Sequence, residues 1–209
     1  MELTVAQVAG QQARTERFVQ QAVRSGDLPA LRLVGRVAVV DDLAVTAWAR
    51  ALARGRRWTG EVRDAALDLL SSGRTDRLSS SERSRLRSRL RAMSAAAMAH
   101  AAGGLGGGWA RYRVTAVPDL SRVGPSKVDH SGLGVVPGAG WVTFVETEDL
   151  DRLELEHDVI VDADGNLGVL QRSRPDTRTA RVLLDTYLLG DARLSAAAAA
   201  ELERRAHGL

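Results

Sequence analysis

A chain of 209 residues without cysteine is long enough for one or two domains with real cores, and it excludes disulfides and thiolate metal sites, which fits a reducing cytoplasm. The net charge is +3 and the pI about 10.1, with Lys127 the only lysine, so the position of the arginines, and not their abundance, has to identify any nucleic-acid surface. No apolar run could span a bilayer and the start ELTVAQ lacks the basic and apolar regions of a signal peptide, so a soluble, cytoplasmic protein with no membrane partner is expected.

Thr4 is a helix N-cap candidate before Val5 and Val8, and Thr15 is a second before Phe18, Val19, Ala22 and Val23 at helical spacing. The second helix should stop at Ser25-Gly26, where Gly supplies a left-handed end and Leu28-Pro29 forces extended backbone. Leu31, Leu33, Val37 and Val39 alternate around Val34-Gly35, so residues 30–40 read as a small hairpin. Asp41 and Asp42 can cap a third helix with Leu43, Ala47 and Trp48 facing inward. If the second helix packs by its apolar face, Arg17, Gln20, Gln21 and Arg24 point outward. With Thr15 at the helix start and Arg32 and Arg36 on the hairpin, they are the candidate DNA-binding residues, able to reach base edges and phosphates. Helix, turn, helix and hairpin in this order predict a winged helix-turn-helix over residues 1–57.

The stretch RSGDLPALRLVGRVAVVDDLAVTAW resembles the MerR and excisionase type of winged helix-turn-helix, on Gly26, Leu28, Pro29, Gly35, Arg36, Asp42 and Trp48. The resemblance implies a recognition helix ending in the SGDLPA turn, a basic wing and an acidic cap before a helix carrying Trp. Gln12 stands where that family would put a core Leu, and Ala13 where it puts a turn Gly.

Arg54-Gly55-Arg56-Arg57 forms a basic joint, solvated or in contact with phosphates, into a helical region at 58–102 expected to connect or dimerise. Val62, Ala66, Leu69 and Leu70 mark a helix ending near Ser72-Gly73. Ser79 and Glu82 form a capping box that opens a helix with the stripe Leu86, Leu90, Met93 and Ala97. Arg83, Arg85, Arg87, Arg89 and Arg91 spread over several faces of that helix, the habit of a solvated or linking element. The run GGLGGG at 103–108 lacks the strand before and Gly-Lys-Ser/Thr after that a phosphate loop requires, and reads as a flexible joint.

Residues 109–209 read as a small α+β module for partner binding or sensing. Trp109 to Ala116 alternates as a strand, Pro118-Asp119 starts a short helical turn, Gly132 to Gly140 is a loop, and Trp141 to Val145 is a second strand. Thr147 would cap a helix through Leu150, Leu153 and His157. Val159–Val161 and Leu167 to Leu170 flank Asp162-Ala-Asp-Gly-Asn166 and read as a hairpin. Asp162, Asp164 and Asn166 resemble the start of a calcium loop, but Ser173 stands at its twelfth position where a Glu is needed. Ala180, Leu183, Leu184, Tyr187 and Leu188 define a helix that breaks at Gly190-Asp191, and Leu194, Ala198, Leu202 and Ala206 line one side of a last one. His100, His130, His157 and His207 fall in no HExxH spacing, there is no Gly-x-Ser-x-Gly, and the adjacency of Asp129-His130-Ser131 is not a triad geometry, so no enzyme and no cofactor is expected.

The segments DRLSSSERSRLRSRLR, WARYRV, GVVPGAGWVTFVETEDLDRLELEHDVIVDADGNLGVLQ and ARVLLDTYLLGDARLSAAAAAELERRA are similar to actinobacterial AbiEi-type antitoxins across roughly residues 60–206. That resemblance implies a transcriptional regulator partnered with a nucleotidyltransferase-type toxin, while carrying no family residue over to a position here. The fold expected is α+β, mainly helical: an N-terminal winged helix-turn-helix, a helical middle and a small C-terminal α+β module. The function expected is sequence-specific binding of double-stranded DNA as a homodimer on an inverted repeat, by an autorepressing antitoxin. The competitors are an excisionase-like architectural factor and a protein-interaction adaptor without DNA binding.

Overall fold

The computed structural model describes residues 1–53, 55–105, 108–128, 131–135, 142–173 and 176–209. Arg54, Gly106, Gly107, Asp129, His130, most of the 132–140 loop, Trp141 and Pro175 therefore lie outside the described residues, with the expectations that fell on them. The chain is a mixed α+β protein.

The first sheet contains a strand that no periodicity announced, β1 (Glu2–Thr4), which runs antiparallel to β3 (Val37–Asp41), with β2 (Arg32–Val34) on the other side of β3. Thr4 ends β1 and also caps α1 (Val5–Gln11) in a reciprocal capping box with Gln7, the Gln7 amide oxygen accepting the Thr4 N–H at 2.8 Å. The helix closes with Ala13 left-handed at φ 49°, while Arg14 N–H reaches the Ala9 carbonyl at 2.9 Å and Ala13 N–H reaches that of Gly10 at 3.3 Å. This is a Schellman ending with an alanine at the position glycine fills best. Ala13→Gly should therefore raise stability by about 0.5–1 kcal/mol, read as a higher urea midpoint at unchanged slope. A lower midpoint would mean that Ala13 is not left-handed.

Thr15 caps α2 (Glu16–Arg24), whose Val19 and Ala22 are buried; Gly26 at φ +75° follows the helix and Leu28 is buried beyond it. Asp41 caps α3 (Asp42–Arg50), which buries Ala44, Val45, Ala47 and Trp48; Leu43, expected inside, is half-buried. Arg50 Nη1 donates to the carbonyl oxygens of Tyr187, Leu188 and Gly190 at 3.2, 2.8 and 2.7 Å, and the Tyr187 hydroxyl donates to Arg50 O. The end of α3 thus satisfies the free carbonyls at the end of a distant helix.

That helix is α8 (Thr179–Leu189), which with α9 (Ala192–His207) packs against α4 (Gly60–Ser72), α5 (Ser80–Arg91) and α6 (Ala95–Ala101). Gly73 ends α4 left-handed, Ser79 and Glu82 open α5 with their capping box, and α9 buries Leu194, Ala198, Leu202 and Ala206. The stripe Leu86 to Ala97 is not one helix. Ser94 accepts the Ala97 N–H and caps α6, because its hydroxyl serves a helix start better than a helix interior.

The second sheet takes β4 (Trp109–Val114), β5 (Ser121–Arg122), β6 (Thr143–Thr147), β7 (Val159–Val161) and β8 (Leu167–Gln171) in the order β5-β6-β8-β4-β7. Among the described residues only the β6–β8 pairing is parallel. Trp109, Phe144 and Leu170 belong to a core cluster that runs from Leu3 to Ala206 and takes in residues of all three sequence spans. Tyr112, Val114, Val145, Leu167 and Val169 pack on Leu153 of α7 (Leu150–Glu156) in a second cluster. Strand alternation gives one sheet two buried faces here.

Three sequence expectations in this half are corrected. Residues 118–119 form no helical turn and lead instead to β5 and a 3-10 turn at Gly124–Ser126. The cap of α7 is Asp149, two residues past Thr147, accepting the Arg152 N–H at 3.1 Å. β7 and β8 are not a hairpin, because β4 lies between them. The connecting loop is fastened across β4: Asp162 N–H donates to Arg111 O, and the Asn166 side chain pairs with both backbone groups of Val114 at 2.9 and 3.0 Å.

Candidate nucleic-acid interface

In α2 the residues Arg17, Gln20, Gln21 and Arg24 are all exposed at i, i+3, i+4 and i+7, opposite the buried Val19 and Ala22. One helix face therefore carries guanidinium and amide groups with nothing packed over them. Thr15 is exposed at its start, where its hydroxyl accepts the Phe18 N–H at 3.3 Å. Among the described residues neither Arg17 nor Arg24 forms an ion pair.

Phe18 departs from expectation. It is 43 % exposed, with its ring 5.8 Å from that of Trp48 and the Arg14 guanidinium 5.7 Å over it. The ring thus packs against Trp48 of the core and presents a face to a cation. Arg14 is a side chain that sequence reading missed; its signal was its place just before the Thr15 cap, beside the first turn of α2.

The hairpin turns through Gly35 at φ +63° and Arg36, between the paired Val34 and Val37. Arg36 is exposed and forms no ion pair among the described residues. Arg32 differs: its Nε and Nη2 donate to the two carboxylate oxygens of Glu2 at 3.1 and 2.8 Å, reaching across β3. A guanidinium so held already has a carboxylate partner, whereas Arg36, among the described residues, has none. Leu33 and Val37, whose alternation marked the hairpin, are 70 % and 50 % exposed, as the hairpin tip projects beyond anything that could cover it. In the joint that follows, Arg56 is exposed and Arg57 is bound to Asp27, in the turn after α2.

The base of the hairpin is joined to the second sheet by Arg111, which is 2 % exposed on β4. Its Nη1 lies 3.6 Å from Asp41 and 3.2 Å from Asp42, and its Nε donates to Gly165 O at 2.9 Å. Burial pushes the Asp41 carboxyl up to about 6, although Arg111 and the Leu43 N–H pull the other way. A raised folded pKa makes the native state hold the proton more tightly than the unfolded chain, so this group's contribution to stability falls as pH rises from about 4 to about 6. Asp41→Asn keeps a good helix cap and removes the buried charge. Its stability should change less across that window, gaining about 2 kcal/mol relative to the parent at neutral pH. Equal pH dependence of parent and variant in urea titrations would show that Asp41 does not titrate there.

Of the histidines, His157 and His207 are exposed and His100 Nε2 lies 3.1 Å from Gly55 O. Among the described residues, no group of three His, Cys, Asp or Glu side chains is arranged to hold a metal ion, and no helix is long and apolar enough to cross a membrane. No protein-family model, curated protein or solved structure matches the chain.

Proposed function

We propose that the chain is a sequence-specific regulator that binds double-stranded DNA, with residues 1–57 acting as a winged helix-turn-helix of the MerR type. The observation that carries the reading is the outer face of α2, where Arg17, Gln20, Gln21 and Arg24 stand exposed beside a hairpin tipped by an exposed Arg36. Arginine and glutamine can address guanine and adenine edges in a major groove, and a guanidinium at a hairpin tip can grip the phosphate backbone. A two-fold dimer would set two such faces on an inverted repeat, with residues 58–102 connecting or dimerising, and occupancy of a promoter would repress it. The AbiEi-like wording of the remaining segments extends the proposal to an autorepressing antitoxin whose partner is a nucleotidyltransferase-type toxin bound through residues 109–209.

The test is fluorescence anisotropy on the chain's own upstream duplex and on a scrambled one, across a salt series. Arg17→Ala or Gln20→Ala should narrow the difference between the two duplexes by about 1–3 kcal/mol. Arg36→Ala should weaken both alike and lower the salt slope by about one contact. Three variants that bind like the parent would remove α2 as the recognition helix. The second reading, an adaptor that binds protein, is favoured by the exposed Phe18, Leu33, Val34 and Val37; absence of binding to either duplex would select it.

A further inference from the structure

The second sheet ends differently on its two sides. β5 is two residues long, Ser121 and Arg122, both exposed, and so short and polar an edge offers little to a further strand. β7 closes the other side with an apolar strand, in which Ile160 is 64 % and Val161 44 % exposed.

The hydrogen bonds to β4 fix which backbone groups of β7 face outward. Asp162 N–H donates to Arg111 O, so in the register that sets Tyr112 opposite Val161 the next hydrogen-bonded pair is Ile160 with Arg113. Val159 and Val161 therefore turn their N–H and C=O groups away from β4. Val114, opposite Val159, agrees, since both of its backbone groups go to Asn166 on its other side. Val159 N–H turns back to His157 O at 2.9 Å, which leaves the Val161 N–H and C=O and the Val159 C=O without a partner among the described residues. Such an edge is a template for one more strand.

Charge selects the strand. Residues 148–164 carry eight Asp and Glu against Arg152 alone, in a chain whose net charge is +3. Asp158 and Asp162 flank β7 at the two-residue spacing that puts them on the same face as Ile160. Asp162 is held by Arg113 Nε at 2.6 Å, whereas Asp158 is exposed and forms no ion pair among the described residues. A second copy of the chain fits this edge poorly. The antiparallel register that joins the outward groups of Val159 to those of Val161 sets each Asp158 against the other copy's Asp162, and like charges directly opposite weaken a strand pair.

We infer that the β7 edge receives an extended segment of a partner protein as an added strand, with an apolar residue beside Ile160 and, two positions on, a Lys or Arg beside Asp158. The inference goes beyond the proposed function and does not depend on it: a basic strand fits this edge whether or not α2 reads DNA and whatever the partner's own activity.

Hydrogen exchange by NMR on the full chain tests the edge, the probe being a capped peptide of the order threonine, lysine, valine, isoleucine, valine, lysine, threonine. In the free chain the Val161 amide should exchange nearly as fast as unstructured backbone, and saturating peptide should slow it about tenfold, while the Ile160 amide, already bonded to β4, changes little. Val161→Pro removes only an outward N–H, which a strand edge tolerates, and should weaken peptide binding about tenfold. Asp158→Lys should weaken it about fivefold at an unchanged melting temperature. Should Val161→Pro fail to fold, Asp158→Lys decides. A Val161 amide already slow in the free chain, or no binding of the peptide, overturns the proposal. Equal affinity for the peptide with glutamate in place of lysine, or parent-like affinity in Asp158→Lys, overturns the basic partner. A dimer in sedimentation that Val161→Pro dissolves would give the edge to a second copy instead.

Discussion

Asp185→Ala is expected to destabilise the protein by about 3–5 kcal/mol, a large fraction of what a domain has. Asp185 is 1 % exposed on α8 and receives hydrogen bonds from Arg172 Nη2 and Arg181 Nη2. Burial alone would raise its carboxyl, but Arg181 and Arg172 hold it below the ordinary carboxylate range. The cost of the variant is therefore not the loss of two bonds. It is two guanidinium groups left buried with, among the described residues, Glu146 as their one remaining hydrogen-bonded carboxylate, and Glu146 reaches Arg172 alone. Asp185→Asn keeps the shape and loses the charge, so it should fall between the two. Urea unfolding checks both: a midpoint for Asp185→Ala equal to that of the parent would mean that water reaches the arginines. Because Arg172 comes from the end of β8 and Arg181 from α8, the carboxylate also ties the sheet to the helices, and loss of protection should extend to β6 and β8 in hydrogen exchange.

The parts of this fold that could be read ahead were those set by neighbours in sequence. Ser79 and Glu82 find each other within one turn, Gly73 ends α4 because its own backbone permits φ +73°, and the α9 stripe follows from 3.6-residue periodicity. The same local logic placed Arg17, Gln20, Gln21 and Arg24 on one face of α2. What escaped depends on distant partners. β1 is three residues long and exists by pairing with β3, some thirty-five positions away. Alternation puts Arg111 and Arg113 on one face of a strand without telling them apart, yet Arg111 is buried because Asp41 and Asp42 meet it there; Arg113, two residues on, stays at the surface on Asp162. Arg32 read as a wing cation only because Glu2 was not yet known to lie across the sheet from it. Charge was legible in the sequence, but its neutralisation was not.

Gly165→Ala should cost about 2–4 kcal/mol, far above the ordinary price of an alanine in a turn. In a free hairpin loop between β7 and β8 the extra methyl would point into solvent. Here β4 passes between the two strands, and a Cβ on Gly165 would fall on the carbonyl of Tyr112 and the amide of Arg113, both backbone of a central strand. Neither can swing aside as a flexible side chain would, so the loop must lift. Lifting it pulls Gly165 O from Arg111 Nε and strains the pair of bonds between Asn166 and Val114, which continue the ladder where no strand does. Gly10→Ala is the matched control: it lies inside α1 with open space around it, and should stabilise by about 0.5–1 kcal/mol. The sign of the difference between the two variants separates the topologies. If Gly165→Ala is as mild as a surface change and the Val114 amide keeps its exchange rate, the loop does not cross β4. If the amide opens together with Asp41 at the far end of Arg111, the loop is one of the struts that hold the hairpin and α3 against the second sheet.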